Sequence, residues 1–314
     1  MSAEVIRGVF DMHVHSSPDN APRKTDDIDL AKTAAEVGMG GFMMKAHQGS
    51  TVERAYLTRK AVGGIKVFGG LVLNYTVGGL NPNAVDYYVR LGAKEIWMPS
   101  LSSDYMVTYM KKNVSMDDRK KFHLAHGSSD DENRIGSKHG ESWPWVRNDR
   151  GISIFNEDGK VCREAWEILE IMAPTNAILG TSHLSIRETF ALVEAARDVG
   201  VERILVTHPE YMAQMNTDDQ ILLSRQGVFF ERCFVMTTVV TKNIGGYKPM
   251  DLIVENIRKV GIESTVLGTD FGQAINPHPV DGMREYLSKL TAAGFSDKEI
   301  ERMGVKNPSN LLDV

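Results

Sequence analysis

The chain is poor in cysteine. Only Cys162 and Cys233 occur among its 314 residues, in unrelated contexts and without the spacing of a zinc ribbon or a redox pair. That does not support a disulfide framework and fits a reducing compartment. No apolar run is long enough to span a bilayer. No apolar signal core precedes the first strand-like segment, because Met1 to Gly8 lead straight into it. These absences predict a cytoplasmic protein with no membrane partner. Charge of one sign is scarce too. The formal net charge is -5, with no basic block, which argues against nucleic acid as a partner. Internal repeats and low-complexity segments are lacking. Gly69-Gly70 and Gly78-Gly79 lack the glycine-rich turn opening a helix that a nucleotide fingerprint needs.

What is present is ordinary for a globular protein: 42% hydrophobic and 25% charged residues. The length suits one barrel of alternating strands and helices, which takes about 250 residues plus insertions. Strand-like runs fall at 9–13, 41–47, 66–73, 94–99, 177–183, 203–208, 228–235 and 264–270. Helical stretches separate most of them, at 27–37, 186–199, 250–260 and 280–293 among others. Phe190, Val193 and Ala196 show the helical spacing. Gly38, Gly92, Gly200, Gly261 and Gly294 lie just past helices, where a left-handed cap is wanted. The Met43-Met44 pair reads as core. The rhythm predicts an α/β protein, a (β/α)8 TIM barrel in a single domain over 1–314.

One segment breaks the rhythm. A long polar insertion follows strand four, from 100 to about 151, and holds His123, His126, His139 and Trp143. Residues 152–161 then read as a hairpin around Glu157-Asp158-Gly159. The whole stretch, about 100–160, is expected to be a lid or substrate loop.

Barrel enzymes carry their chemistry at the C-terminal ends of strands. His13, His15, His47, His183 and His208 end or directly follow strand candidates, and Asp270 ends the eighth. His13 and His15 stand two apart, so both imidazoles share one face of an extended segment. Imidazole and carboxylate ligands suit zinc and similar ions, with Mn or Fe as alternatives. Such an ion acidifies a bound water and polarises a carbonyl. Asp270 is the natural proton shuttle. Any one of these histidines alone reads as a structural side chain; the ordered set points to a metal.

The set resembles the amidohydrolase superfamily. That superfamily has HxH after strand one, His after strands five and six, and Asp after strand eight, matched here by His13, His15, His183, His208 and Asp270. Asn307-Pro308-Ser309-Asn310-Leu311-Leu312 looks like its usual ending. Asp-Met-His-Val-His-Ser-Ser-Pro-Asp, Met-Lys-Ala-His and Thr-Ser-His-Leu-Ser are similar to an uncharacterised amidohydrolase-like family. The resemblance implies that the four histidines and Asp270 hold metal and that Asp270 moves the proton. It also implies a homo-oligomer acting on a small molecule. The reaction would be hydrolysis of an amide, cyclic amide or lactone. A mononuclear lyase, a phosphoesterase and a non-catalytic binding barrel are the rivals.

One departure stands out. The bridging Lys or Glu of binuclear members is missing from the end of strand four, Ile96-Trp97-Met98-Pro99-Ser100. One or two ions are therefore open. Lys45, His47 and Glu231 could complete a second metal site or bind substrate, and Lys45 could instead pair with Glu231 inside the barrel. Ser16, Ser17, Asp19, Arg23, Asn74, Tyr75 and Gln273 lie just beyond strand ends as weaker candidates, as do His126, His139 and Trp143 in the insertion.

Overall fold

A computed structural model describes residues 6–19, 21–115, 150–211, 213–242 and 245–314. The first half runs β1 (Phe10–Val14), α1 (Asp27–Glu36), β2 (Gly41–Met44), α2 (Val52–Ala61), β3 (Lys66–Val72), α3 (Pro82–Leu91), β4 (Glu95–Trp97), α4 (Asp104–Asn113) and α5 (Arg163–Met172). The second runs β5 (Ile178–Gly180), α6 (Ile186–Asp198), β6 (Ile204–Thr207), α7 (Thr217–Ser224), β7 (Phe229–Cys233), α8 (Val239–Lys242), α9 (Met250–Val260), β8 (Thr265–Gly268), α10 (Pro279–Ala292), α11 (Asp297–Glu301) and α12 (Asn307–Leu312). Neighbouring strands pair in parallel in sequence order, β1 through β8. The ring closes where β8 returns to β1. Asp270 N–H donates to the His13 carbonyl at 2.7 Å and His15 N–H donates to the Phe271 carbonyl at 2.8 Å. This is the expected (β/α)8 barrel.

Alternation along the strands sorts side chains into an outer layer against the helices and an inner layer. Phe42 and Met44 pack outward in the same cluster as Leu30 and Ala34 of α1. Met43, Val72, Trp97, Ile178, Leu205 and Val266 pack together inside, with Leu311 and Leu312 of α12 beneath them. Trp97 needs glycine neighbours. A Cβ at Gly70 would sit 2.6 Å from its ring, and one at Gly180 would sit 2.5 Å from it.

β1 breaks its own alternation. Phe10 and Met12 belong to the inner cluster, yet Val14 belongs to the outer one. The pairing register with β2 shifts between Asp11 and Val14. Such an irregularity re-aims the side chains beyond it, and here it turns His13 and His15 into the barrel mouth. Asp11 fixes the spot from β1 to β8. Its carboxylate accepts Thr269 Oγ1 at 2.6 Å, Thr269 N–H at 2.8 Å and His13 N–H at 3.2 Å.

The four sequence-read helices form within a residue or so of their expected ends. Strands β2 to β8 are shorter than expected, because hydrogen bonding stops before the chain turns, while β1 keeps its length one residue later. Part of the insertion is not a loop. Met106, Val107 and Met110 are buried on α4, and Ser103 caps that helix by accepting Met106 N–H at 3.1 Å. The hairpin read at 152–161 forms as a short one: Phe155 and Val161 pair antiparallel, with Asn156 N–H on the Lys160 carbonyl and Cys162 N–H on the Ile154 carbonyl, both at 2.8 Å. His123, His126, His139 and Trp143 lie outside the described residues.

Asp11→Ala should cost about 3 kcal/mol, because it removes the acceptor of three buried donors, two of them on Thr269 at the closing seam. Asp11→Asn should cost under about 1 kcal/mol, since an amide can keep the Thr269 contacts. Urea unfolding measures both; equal losses would contradict the role given to Asp11.

Candidate functional site

His13 and His15 leave β1 on its inner face with ring centroids 5.1 Å apart. Asp270, just past β8, brings Oδ1 to 3.4 Å from His13 Nε2 and 3.1 Å from His15 Nε2. His208 follows β6, its ring 6.1 Å from His13 and 5.0 Å from His183, which follows β5. The five sequence-read residues thus meet in one cavity at the C-terminal mouth, with about 50 Å³ of free space. That is room for a few water-sized groups.

The turns that carry these side chains are held in unusual conformations. Ser182, His208 and Asp270 have φ of 51°, 29° and 53°, in the left-handed region that non-glycine residues seldom adopt and that costs of order 1–3 kcal/mol each. Surrounding bonds hold the geometry. Ser103, at the start of α4, donates its hydroxyl to the His183 carbonyl at 2.8 Å. Tyr211 N–H donates to the His208 carbonyl at 2.9 Å.

Three buried nitrogens of the cavity's histidines have no hydrogen bond among the described residues: His13 Nε2, His183 Nδ1 and His208 Nδ1. A buried polar atom left so costs about 1–3 kcal/mol, a cost that a bound cation relieves at any nitrogen it reaches. The ligand atoms of His13, His15 and Asp270 lie within 4.8 Å of one another. The donor set, imidazoles and one carboxylate, suits zinc and its neighbours. The other His13 nitrogen, Nδ1, sits 3.0 Å from Glu231 Oε2. With Nδ1–H donating to Glu231, the Nε2 lone pair faces the cavity, the carboxylate–histidine arrangement that orients metal ligands.

Burial sets the electrostatics. It pushes His13 down to about 3, against the opposing pull of Asp270, and His208 down to about 4. It also lowers His183 and His47 well below the usual imidazole range. All four are therefore neutral near pH 7, the form that binds a cation. Burial pushes Glu231 up to about 7.

Lys45 and His47 continue the inner face beyond β2, as their spacing predicts. His47 Nδ1 lies 3.1 Å from Ser100 Oγ, and its ring is 4.9 Å from His15. Lys45 makes no ion pair or hydrogen bond with Glu231 among the described residues; Glu231 Oε2 lies against His13, and Oε1 has no partner there. Lys45 Nζ has no hydrogen bond among the described residues and sits 5.3 Å from the Trp97 ring centroid. The end of β4 has no bridging residue, as read, but its start carries a carboxylate that the sequence reading passed over. Glu95 is fully buried and feels the charges of Glu231 and Lys45.

Of the weaker candidates, Arg23 and Gln273 line the cavity. The others do scaffold work. Ser16 donates to Asp27 at 2.6 Å, and Asp27 is also gripped by Arg54. Ser17 pairs with Asp26, and Asp19 binds Arg23 at 2.8 Å. Asn74 ties the loops after β2, β3 and β4 through His47 O and Ser100. Tyr75 is exposed and bonds Arg150 O. Tyr211 was missed: it stacks edge-on with His208 at 5.1 Å. Its place three residues after His208 was the available signal.

In the metal-free protein, the ring signals of His13 and His208 should stay those of neutral imidazole from pH 7 down to pH 5. The depressed values put protonation below that window; proton NMR titration showing either ring charging near pH 6.5 would refute the burial argument.

No curated protein matches the sequence. Solved structures match the fold. An amidohydrolase from Pseudomonas aeruginosa aligns with TM-score 0.61 and 10% identity over 99% of this chain and 97% of that one. The probable dipeptidase PvdM from the same organism aligns at 0.59 and 11%, over 99% and 95%. A probable 2-pyrone-4,6-dicarboxylic acid hydrolase from Acinetobacter baumannii aligns at 0.57 and 9%, over 98% and 100%. At these identities the likeness shows the shared barrel fold. At the level of sequence, residues 8–231 match a family of unknown function, DUF6282, and the chain belongs to that family.

Proposed function

We propose that the protein is a metal-dependent hydrolase that opens a small molecule at a carbonyl centre, an amide, cyclic amide or lactone. The observation that carries this reading is the meeting of His13, His15, His183, His208 and Asp270 in one cavity at the barrel mouth. A divalent ion held there, zinc first with Mn or Fe as alternatives, would supply a Lewis acid and an acidified water. The chain's own part is orientation and proton transfer. Asp270 Oδ1, beside His13 and His15, takes the water's proton and later delivers it to the leaving group. Glu231 holds His13 in one tautomer. The names of two structural neighbours, a dipeptidase and a 2-pyrone hydrolase, fit the same bond classes.

A second reading rests on β4. Among the described residues, no β4 side chain lines the cavity. That favours a single ion, the condition under which a decarboxylase or hydratase is the alternative.

Metal analysis of the purified protein should give one equivalent per chain; two or three would end the mononuclear assignment. Asp270→Asn should keep the metal and lose about 10²–10⁴-fold in turnover across a panel of amides, lactones and phosphate esters. Wild-type rates in that variant would sink the shuttle. Glu231→Gln should bind metal about 10–100-fold more weakly by competition with a chelator; unchanged affinity would remove Glu231 from any orienting role.

A further inference from the structure

The cavity contains two cationic side chains that its own carboxylates do not fully engage. Arg23 enters from the loop after β1. Its backbone pairs with Gln273, and Lys24 N–H donates to Gly272 O at 2.8 Å. That ties the Arg23 loop to the one that follows Asp270. Its guanidinium is 2% exposed and gives Nε and Nη2 to a single oxygen, Asp19 Oδ2, at 3.1 and 2.8 Å. Nη1 has no hydrogen bond to any described residue. Lys45 enters from the end of β2. It is 1% exposed, its Nζ has no hydrogen bond among the described residues, and both side chains line the cavity. His13 and His47 both feel the two positive charges.

A buried ammonium without a contact partner is costly. Neither Asp270 nor Glu231 makes an ion pair or hydrogen bond with Lys45 among the described residues, although the Lys45 charge opposes the upward push of burial on Glu231. Glu95, the remaining carboxylate near Lys45, makes no hydrogen bond or ion pair with it among the described residues, and burial pushes it well above its usual range. A ligand carboxylate would complete both cations, and a planar guanidinium matches its geometry.

We infer that the cavity selects small molecules bearing a carboxylate, with Arg23 gripping that group and Lys45 supplying charge at the floor. This names the substrate class for the hydrolase reading and rests on it for the reaction, but not for binding. The test is calorimetry on the protein as purified, with succinate, its neutral counterpart succinamide, and inorganic phosphate as probes. Succinate should bind at least about tenfold more tightly than succinamide, which lacks the charge Arg23 recognises. Arg23→Met should remove most of that preference without changing metal content, and Arg23→Lys should restore part of it. Lys45→Gln should weaken succinate in the same direction. The preference should persist after chelation. An Arg23→Met protein that keeps the wild-type preference overturns the inference, as does a preference that vanishes with the metal. Phosphate binding more tightly than succinate overturns the carboxylate assignment. Failure to find any turnover, with the Arg23-dependent preference intact, would remove the hydrolase reading and leave this one standing.

Discussion

The site depends on the seam between the first and last strands. A barrel of eight strands has one place where the chain's beginning must find its end. Here that place is also where three of the five candidate ligands lie. The backbone bonds of Asp270 and His15 across the seam, at 2.7 and 2.8 Å, bring the carboxylate within reach of both β1 imidazoles. Asp11 and Thr269 lock the same joint. A shift of one residue in this pairing would turn every side chain beyond it to the other face. Fold closure and site assembly are thus one event.

The second constraint is the cost of charge away from water. The mouth collects histidines, a lysine, an arginine and several carboxylates, nearly all of them buried. The interior answers by neutralising what it can. Imidazoles lose their protons, and Glu95 and Glu231 are pushed upward by burial. Asp270, at 8% exposure, is more open than His13, His15, His183 and His208. The result is a donor set ready for a cation at no proton cost from its imidazoles.

Much of this was legible in the sequence for a simple reason. Extended chain alternates, so His13 with His15, and Lys45 with His47, had to share a face. Strand ends mark the mouth of a barrel, so single histidines after β5 and β6 could be placed. The rest was hidden by physics the one-dimensional pattern does not carry. The irregularity in β1 sets which face His13 and His15 share with the barrel interior, and no residue type announces it. Glu95 stands at the start of its strand, where barrel chemistry is not sought. It fits inside because Gly180, on the neighbouring strand, has no side chain, a three-dimensional accommodation. Alternation placed Glu231 inside but could not say that His13, rather than Lys45, would claim it. In α4, polar neighbours masked the apolar face of Met106, Val107 and Met110.

The inner layer beneath the site has one further consequence. Trp97, with Met43, Val72 and Leu205 around it and Leu311 and Leu312 below, is a packed plug rather than a pore. Anything that reaches the histidines must therefore arrive from the mouth and depart by the same door. Under the proposed hydrolysis, a spent molecule would obstruct the next arrival until it had gone, so product and substrate would compete for one opening.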